Sequence, residues 1–136
     1  MTKTFFTAFI STSLIFVIVD VIWLSFTVKL LYRPALGSLI IEKPVMWAAI
    51  LFYIVYSVGL AFIILGPALV NNSVFQALWM GALFGFVAYG TYNLTNMAVI
   101  TNWSPKIVLI DMLWGGFLTG FSCMLGIFIS KSIFSS

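Results

Sequence analysis

Two aspartates are the residues of this 136-residue sequence best placed to do chemistry. Asp20 and Asp111 each lie within a long apolar segment, and each is followed at the third position by a tryptophan, Trp23 and Trp114. A charged side chain at the centre of a bilayer costs about 2.5–3.5 kcal/mol on insertion scales. Two such acids at a similar membrane depth therefore indicate a site.

The composition places this site in a membrane. Apolar residues make up 63% of the chain and charged residues 7%, with a mean hydropathy of +1.22, whereas about a quarter of the residues in soluble domains are charged. At about 20 apolar residues per crossing, the length fits four helices. The sequence predicts an all-α fold, an integral membrane four-helix bundle, as a single transmembrane domain over 1–136.

The composition also excludes several function classes. Histidine is absent and Cys123 is the only cysteine, which excludes bis-histidine haem, histidine-ligated zinc or copper, and iron–sulfur clusters. We expect no cofactor and no metal. The six Lys and Arg residues are scattered over termini and loops, so they suit contact with lipid headgroups and do not suit nucleic acid.

Hydropathy and helix breakers set the predicted bounds of the spans. The second span is expected to stop at Gly66-Pro67, because proline cannot continue helical hydrogen bonding. The four predicted helices run over about 5–26, 46–65, 74–99 and 107–129.

Capping residues support the predicted starts of the third and fourth helices. Ser73 followed by Gln76 fits a capping box before the third helix. Ser104 and Pro105 fit the N-cap and the first position of the fourth helix.

The first connection, over 27–45, is the longest. Apolar residues follow Pro34 at helical spacing, which predicts a short interfacial helix in the headgroup region; a membrane-hugging connector is the alternative. The residues in question are Ala35, Leu36, Leu39 and Ile40.

Basic residues give the predicted orientation. Four of the six lie in the first and third loops, at Lys29, Arg33, Lys43 and Lys106, and Lys3 and Lys131 lie on the opposite side. The positive-inside rule then predicts cytoplasmic first and third loops, with both termini outside.

All four predicted helices bring polar groups to one leaflet. At 1.5 Å per residue, Asp20 lies about 9 Å from the end of the first helix and Asp111 about 6 Å from the start of the fourth. Tyr53 and Asn93 lie at similar depths. The other leaflet is mainly aliphatic, so we expect a one-sided polar pocket and no continuous pore.

Helical spacing extends this set. Tyr89, Asn93 and Asn96 recur at i, i+4 and i+7, and Tyr53 and Tyr56 at i and i+3, so each group shares one helix face. The predicted ligand-binding residues are Asp20, Trp23, Tyr53, Tyr56, Tyr89, Asn93, Asn96, Asp111 and Trp114.

The same residues have a purely structural interpretation. No Lys or Arg lies within the predicted spans, so neither acid has a basic partner at its depth. A proton shared by Asp20 and Asp111 would suit proton-coupled transport or acid catalysis. Alternatively, each Asp accepts hydrogen bonds from Tyr, Asn or Trp and locks the four helices together. The two Asp-x-x-Trp motifs lie on antiparallel helices with unlike surroundings, which indicates coincidence and no internal repeat.

Small residues are expected to serve packing. Small-xxx-small faces let helix backbones approach closely, and they also offer a surface for a homodimer. These faces comprise Ala77, Gly81 and Gly85 on the third helix and Gly116 and Gly120 on the fourth. Trp47, Trp79 and Trp103 are assigned to the membrane interface, and Cys123 to packing.

Four motifs together resemble a bacterial membrane-protein family, domain of unknown function 2177. They are Asp20-Val21-Ile22-Trp23-Leu24, Tyr53-x-x-Tyr56-x-x-Gly59, Tyr89-Gly90-Thr91-Tyr92-Asn93-Leu94-Thr95-Asn96 and Asp111-Met112-Leu113-Trp114-Gly115. The resemblance implies a small four-helix protein of the bacterial inner (cytoplasmic) membrane. It also implies that an Asp commonly stands where this chain has Asn93, so a mechanism that needs three acids would not apply here.

Three functions fit these observations. The leading hypothesis is a binding or transport protein that admits an amphipathic small molecule or lipid into the one-sided pocket. The second is a membrane-embedded enzyme that acts on lipid or peptide through the two Asp residues as an acid pair. The third is a structural subunit of a larger membrane complex.

Overall fold

Four long helices build the protein, as the sequence predicts. The structure is a computed structural model and describes residues 2–134. The helices are α1, Thr2–Leu39, α2, Met46–Val70, α3, Val74–Val99, and α4, Pro105–Phe134, and each is long and apolar enough to cross a membrane. α4 is the central helix and packs against both α3 and α1, while α2 packs mainly along α1.

α1 is longer than predicted and leaves a short first loop. Instead of ending near 26, it continues from Thr27 through a π turn at Val28–Tyr32, an α-helical turn at Arg33–Leu36 and a 3₁₀ turn at Gly37–Leu39. Pro34 is tolerated because it lies at the start of the turn after the π turn, where its missing N–H is not needed. The residues after Pro34 are therefore helical, as the sequence predicts, but they continue α1 and do not form a helix apart from it.

α2 also continues past its predicted stop. A π turn at Ala61–Leu65 precedes Pro67, and the Gly66 N–H bonds the Ala61 carbonyl. This wider turn shifts the hydrogen-bonding register ahead of the proline. The helix then ends at Val70, before Asn72, which has a φ of 51°.

The predicted starts of α3 and α4 are confirmed. Ser73 Oγ accepts the Gln76 N–H at 3.0 Å, and Ser104 Oγ accepts the Ile107 N–H at 3.3 Å. The capping box is half formed, because the Gln76 side chain accepts from the Asn71 amide at 2.8 Å. α3 matches its predicted bounds, and α4 extends to Phe134.

Glycines bring α3 and α4 into close contact. A Cβ added at Gly81 would lie 3.1 Å from Gly120 Cα, and one at Gly85 would lie 2.7 Å from Thr119 Cβ. The predicted packing role is therefore confirmed, but within one chain. These faces contact each other in the single chain.

Candidate functional site

Asp20 joins three helices. Its carboxylate is 6% exposed on α1, and it accepts hydrogen bonds from Tyr53 Oη of α2 at 2.7 Å and from Trp114 Nε1 of α4 at 3.1 Å. Each carboxylate oxygen has one neutral donor.

Asp111 joins α4 to α1 and α3. Its carboxylate accepts from Tyr32 Oη, in the π turn of α1, at 2.8 Å and from Asn93 Nδ2 of α3 at 2.6 Å. Tyr32 Oη in turn accepts from Trp23 Nε1 at 3.3 Å. The two acids together therefore contact all four helices.

The two Asp-x-x-Trp motifs are crossed in space. The tryptophan of the second motif, Trp114, donates to the acid of the first, Asp20, and Trp23 reaches the acid of the second through Tyr32. The two indoles stack. The tryptophan of each motif thus serves the acid of the other motif, which a comparison of the two motifs along the sequence does not reveal.

The two carboxyl groups have separate sets of hydrogen-bond donors. Asp20 bonds Tyr53 and Trp114, whereas Asp111 bonds Tyr32 and Asn93. A pair that shares one proton directly, as in an aspartic dyad, requires contact between the carboxyl groups. Here each of the four carboxylate oxygens accepts a hydrogen bond from a phenol, indole or amide group.

Both carboxyl groups line one pocket of about 240 Å³, which we call the carboxylate pocket. It lies at the end of the bundle that carries the loops 40–45 and 100–104. Its lining comprises Asp20, Trp23, Leu24, Val28, Tyr32, Leu36, Ile40, Tyr89, Tyr92, Asn93, Trp103, Ile107, Asp111 and Trp114.

Much of this lining comes from one stripe of α1. From Asp20 onward every fourth residue faces the pocket, through Leu24, Val28, Tyr32, Leu36 and Ile40. In a regular α-helix such a stripe drifts around the axis, because a turn holds 3.6 residues. The wider π turn at Val28–Tyr32 offsets part of this drift and keeps Tyr32 over Asp111.

A second pocket of about 410 Å³, which we call the apolar pocket, adjoins the first. It is lined by Phe52 and Tyr56 of α2, Ala88, Tyr89 and Tyr92 of α3, and Asp111 of α4. Tyr89, Tyr92 and Asp111 line both pockets. The apolar pocket, between α2 and α3, therefore shares part of its wall with the carboxylate pocket.

The nine predicted residues fall into three groups. Six line the carboxylate pocket: Asp20, Trp23, Tyr89, Asn93, Asp111 and Trp114. Tyr53 holds Asp20 from outside the lining, and Tyr56 lines the apolar pocket and bonds Thr119 Oγ1 at 2.8 Å. Asn96 lines neither pocket.

Tyr32 and Trp103 are site residues that the sequence reasoning missed. The predicted helix bounds put Tyr32 in a loop, although it continues the series in which every fourth residue after Asp20 shares one helix face. The sequence predicts Trp103 at the membrane interface, but Trp103 lines the carboxylate pocket and contacts Tyr92 edge to face, with ring centroids 5.9 Å apart. Its position in a loop gives no periodic signal.

Within residues 2–134, no group of three or more Cys, Asp or Glu side chains comes together as a metal site would require. The polar atoms of the site are carboxylate, amide, phenol and indole groups. They suit hydrogen bonding and the binding of a positive or neutral polar group.

The fold and the site define a small four-helix integral membrane protein with a polar pocket at one end of its bundle. The sequence model of the family described as "Predicted membrane protein (DUF2177)" matches residues 5–128. The chain belongs to this family, which confirms the resemblance seen in its four motifs. No curated protein and no solved structure matches the chain.

Proposed function

We propose that this protein binds an amphipathic small molecule or lipid in the carboxylate pocket and serves in its transport or handling in the bacterial inner membrane. The observation that carries the proposal is the presence of Asp20 and Asp111 in one pocket within apolar helices. Carboxylates are expensive at membrane depth and are usually functional there.

The neighbouring apolar pocket supports an amphipathic ligand. Ligand sites are usually apolar clefts with a few placed polar groups. Here the polar groups lie in the carboxylate pocket, and the apolar pocket shares three lining residues with it. A ligand with one polar and one apolar end would match both.

A structural role is the competing proposal, and it also has a specific observation behind it. Each of the four carboxylate oxygens accepts a hydrogen bond from another helix. Polar contacts of this kind hold membrane helices together. In a subunit that stabilises a larger complex, the two acids would need no role beyond these hydrogen bonds.

Native mass spectrometry of the gently extracted protein separates the two proposals. We expect the wild type to retain a defined small-molecule adduct, and both Asp20→Asn and Asp111→Asn to lose it. Glu42→Gln is the matched control, because Glu42 is the third acid of the chain and is exposed in the loop 40–45. Folded variants that keep the adduct, or a wild type with none and a stoichiometric protein partner, would favour the structural role.

A further inference from the structure

The charge of the carboxylate pocket identifies a class of ligand. Its lining holds two acids and no Lys or Arg, and the four hydrogen bonds that the carboxylates accept come from neutral side chains. We propose that the pocket selects the ammonium headgroup of a cationic amphiphile, whose apolar chain occupies the apolar pocket. This inference rests on the proposed function.

The carboxylates supply the electrostatic part of this selectivity. A buried charge is stable when it is paired and hydrogen-bonded. An ammonium group would pair with Asp20 and Asp111, whereas an anionic headgroup would be repelled by both. None of the basic residues near this end lines the carboxylate pocket, and Lys106 lines a neighbouring space with Leu30 and Pro34.

The aromatic lining supplies a second, independent reason. Six aromatic residues line the carboxylate pocket: Trp23, Tyr32, Tyr89, Tyr92, Trp103 and Trp114. The negative face of an aromatic ring attracts organic cations, and aromatic cages are a common way to bind ammonium groups.

Asn93 adds an acceptor without a partner. It is fully buried and lines the carboxylate pocket, and its Nδ2 donates to Asp111 and to the Tyr89 carbonyl, whereas its Oδ1 has no hydrogen bond among residues 2–134. A buried unpaired acceptor is uncommon in a protein. An N–H of a protonated amine is a suitable donor for it.

The sizes of the two pockets favour an amphiphile over a soluble cation. Pockets for whole drug-sized ligands measure about 300–1,000 Å³, and the carboxylate pocket, at about 240 Å³, suits a headgroup. The apolar pocket, at about 410 Å³, continues from it at Tyr89, Tyr92 and Asp111. Because Phe52 and Tyr92 on its walls are exposed on the surface of the bundle, a chain there would reach the bilayer between α2 and α3.

The test is a competition between three amphiphiles that share one chain. Wild-type protein in maltoside micelles is incubated with equal amounts of dodecylammonium, dodecanol and laurate, and the retained adducts are measured by native mass spectrometry. We expect dodecylammonium to bind at least about tenfold more tightly than laurate, because charged hydrogen bonds carry this much free energy. Asp111→Asn should weaken dodecylammonium binding by a similar factor.

A second pair of variants tests the chain site and does not depend on the acids. Ala88→Phe fills the apolar pocket and is expected to weaken dodecylammonium binding about tenfold. Val87→Phe is the matched control, because Val87 is the neighbouring residue, is 57% exposed and does not line that pocket. Its binding should equal that of the wild type.

The outcomes distinguish the inference about a cationic headgroup from the proposed function on which it rests. Binding of laurate or dodecanol as tightly as dodecylammonium overturns the cation inference and leaves the pocket function standing. Retention of none of the three overturns the proposed function itself, and the inference with it. Equal binding by the Ala88→Phe and Val87→Phe variants overturns the assignment of the chain to the apolar pocket.

Discussion

The indole of Trp23 stacks on the indole of Trp114, with ring centroids 4.1 Å apart and an angle of 9° between the planes. Trp114 donates to Asp20, and Trp23 donates to Tyr32, which donates to Asp111. The stacked pair therefore connects the hydrogen-bond networks of the two acids.

Replacing Trp114 by Phe should separate the contribution of the indole stack to stability from that of the hydrogen bond to Asp20. The Trp114→Phe variant keeps an aromatic ring against Trp23 but removes the N–H donor to Asp20, so we expect the free energy of unfolding to fall by about 1–3 kcal/mol. Denaturation in mixed micelles of maltoside and dodecyl sulfate measures this change. Trp79→Phe is the control, because Trp79 is 48% exposed outside both pockets, and its variant should change stability by less than about 0.5 kcal/mol. Equal stability of the two variants would contradict a stabilising role for the Trp114 hydrogen bond.

Double-mutant cycles should recover the pairing of the tyrosines with the acids. Tyr32 Oη lies 2.8 Å from Asp111 Oδ1, so we expect Tyr32→Phe and Asp111→Asn to be coupled by about 0.5–2 kcal/mol in unfolding free energy. Tyr53 bonds Asp20 instead, so the cycle of Tyr53→Phe with Asp111→Asn should be nearly additive. The reverse pattern would show that the partners of the two acids are exchanged.

The sequence predicted the helices because apolar runs of membrane length carry a strong signal. It also predicted the start of α3, since Ser73 has a local capping role. It failed at the end of α1, which it places near 26, and at Pro67, where a π turn before the proline allows the helix to continue. Local propensity rules treat proline as a stop and do not include this compensation.

The candidate site was predictable in part for a similar reason. Asp20, Asn93 and Asp111 are conspicuous because polar residues are rare inside spans. Which donor meets which acid depends on helix rotation and on contacts between distant segments, so the crossing of Trp114 to Asp20 could not be predicted. Tyr32 was missed because the end of α1 was placed too early.

Glycine positions should respond to substitution in opposite directions. Gly85→Ala places a Cβ 2.7 Å from Thr119 Cβ in the contact between α3 and α4, and we expect a loss of about 1–3 kcal/mol in unfolding free energy. Gly59 lies in α2 with nothing within 4 Å of an added Cβ, so Gly59→Ala should stabilise the protein by up to about 1 kcal/mol through helix propensity. Measured in the same micelles, a neutral Gly85→Ala would argue against the close α3–α4 contact.

The direction in which the carboxylate pocket faces follows from the placement of its loops. Ser38 and Asn102 lie at the pocket end of the bundle and Asn72 at the other end, and all three are exposed. The excess of Lys and Arg at the pocket end predicts that it is cytoplasmic. In a Cys123→Ala background, a membrane-impermeant maleimide applied to intact bacterial cells should therefore label an Asn72→Cys variant and leave Ser38→Cys and Asn102→Cys unlabelled until the membrane is opened. Labelling of Ser38→Cys and Asn102→Cys alone would reverse the orientation and give the pocket access from outside. The two spans between Ser38 and Asn102, α2 and α3, return the chain to the side from which it started. Labelling of Ser38→Cys and Asn102→Cys from opposite sides would therefore contradict the four-span fold.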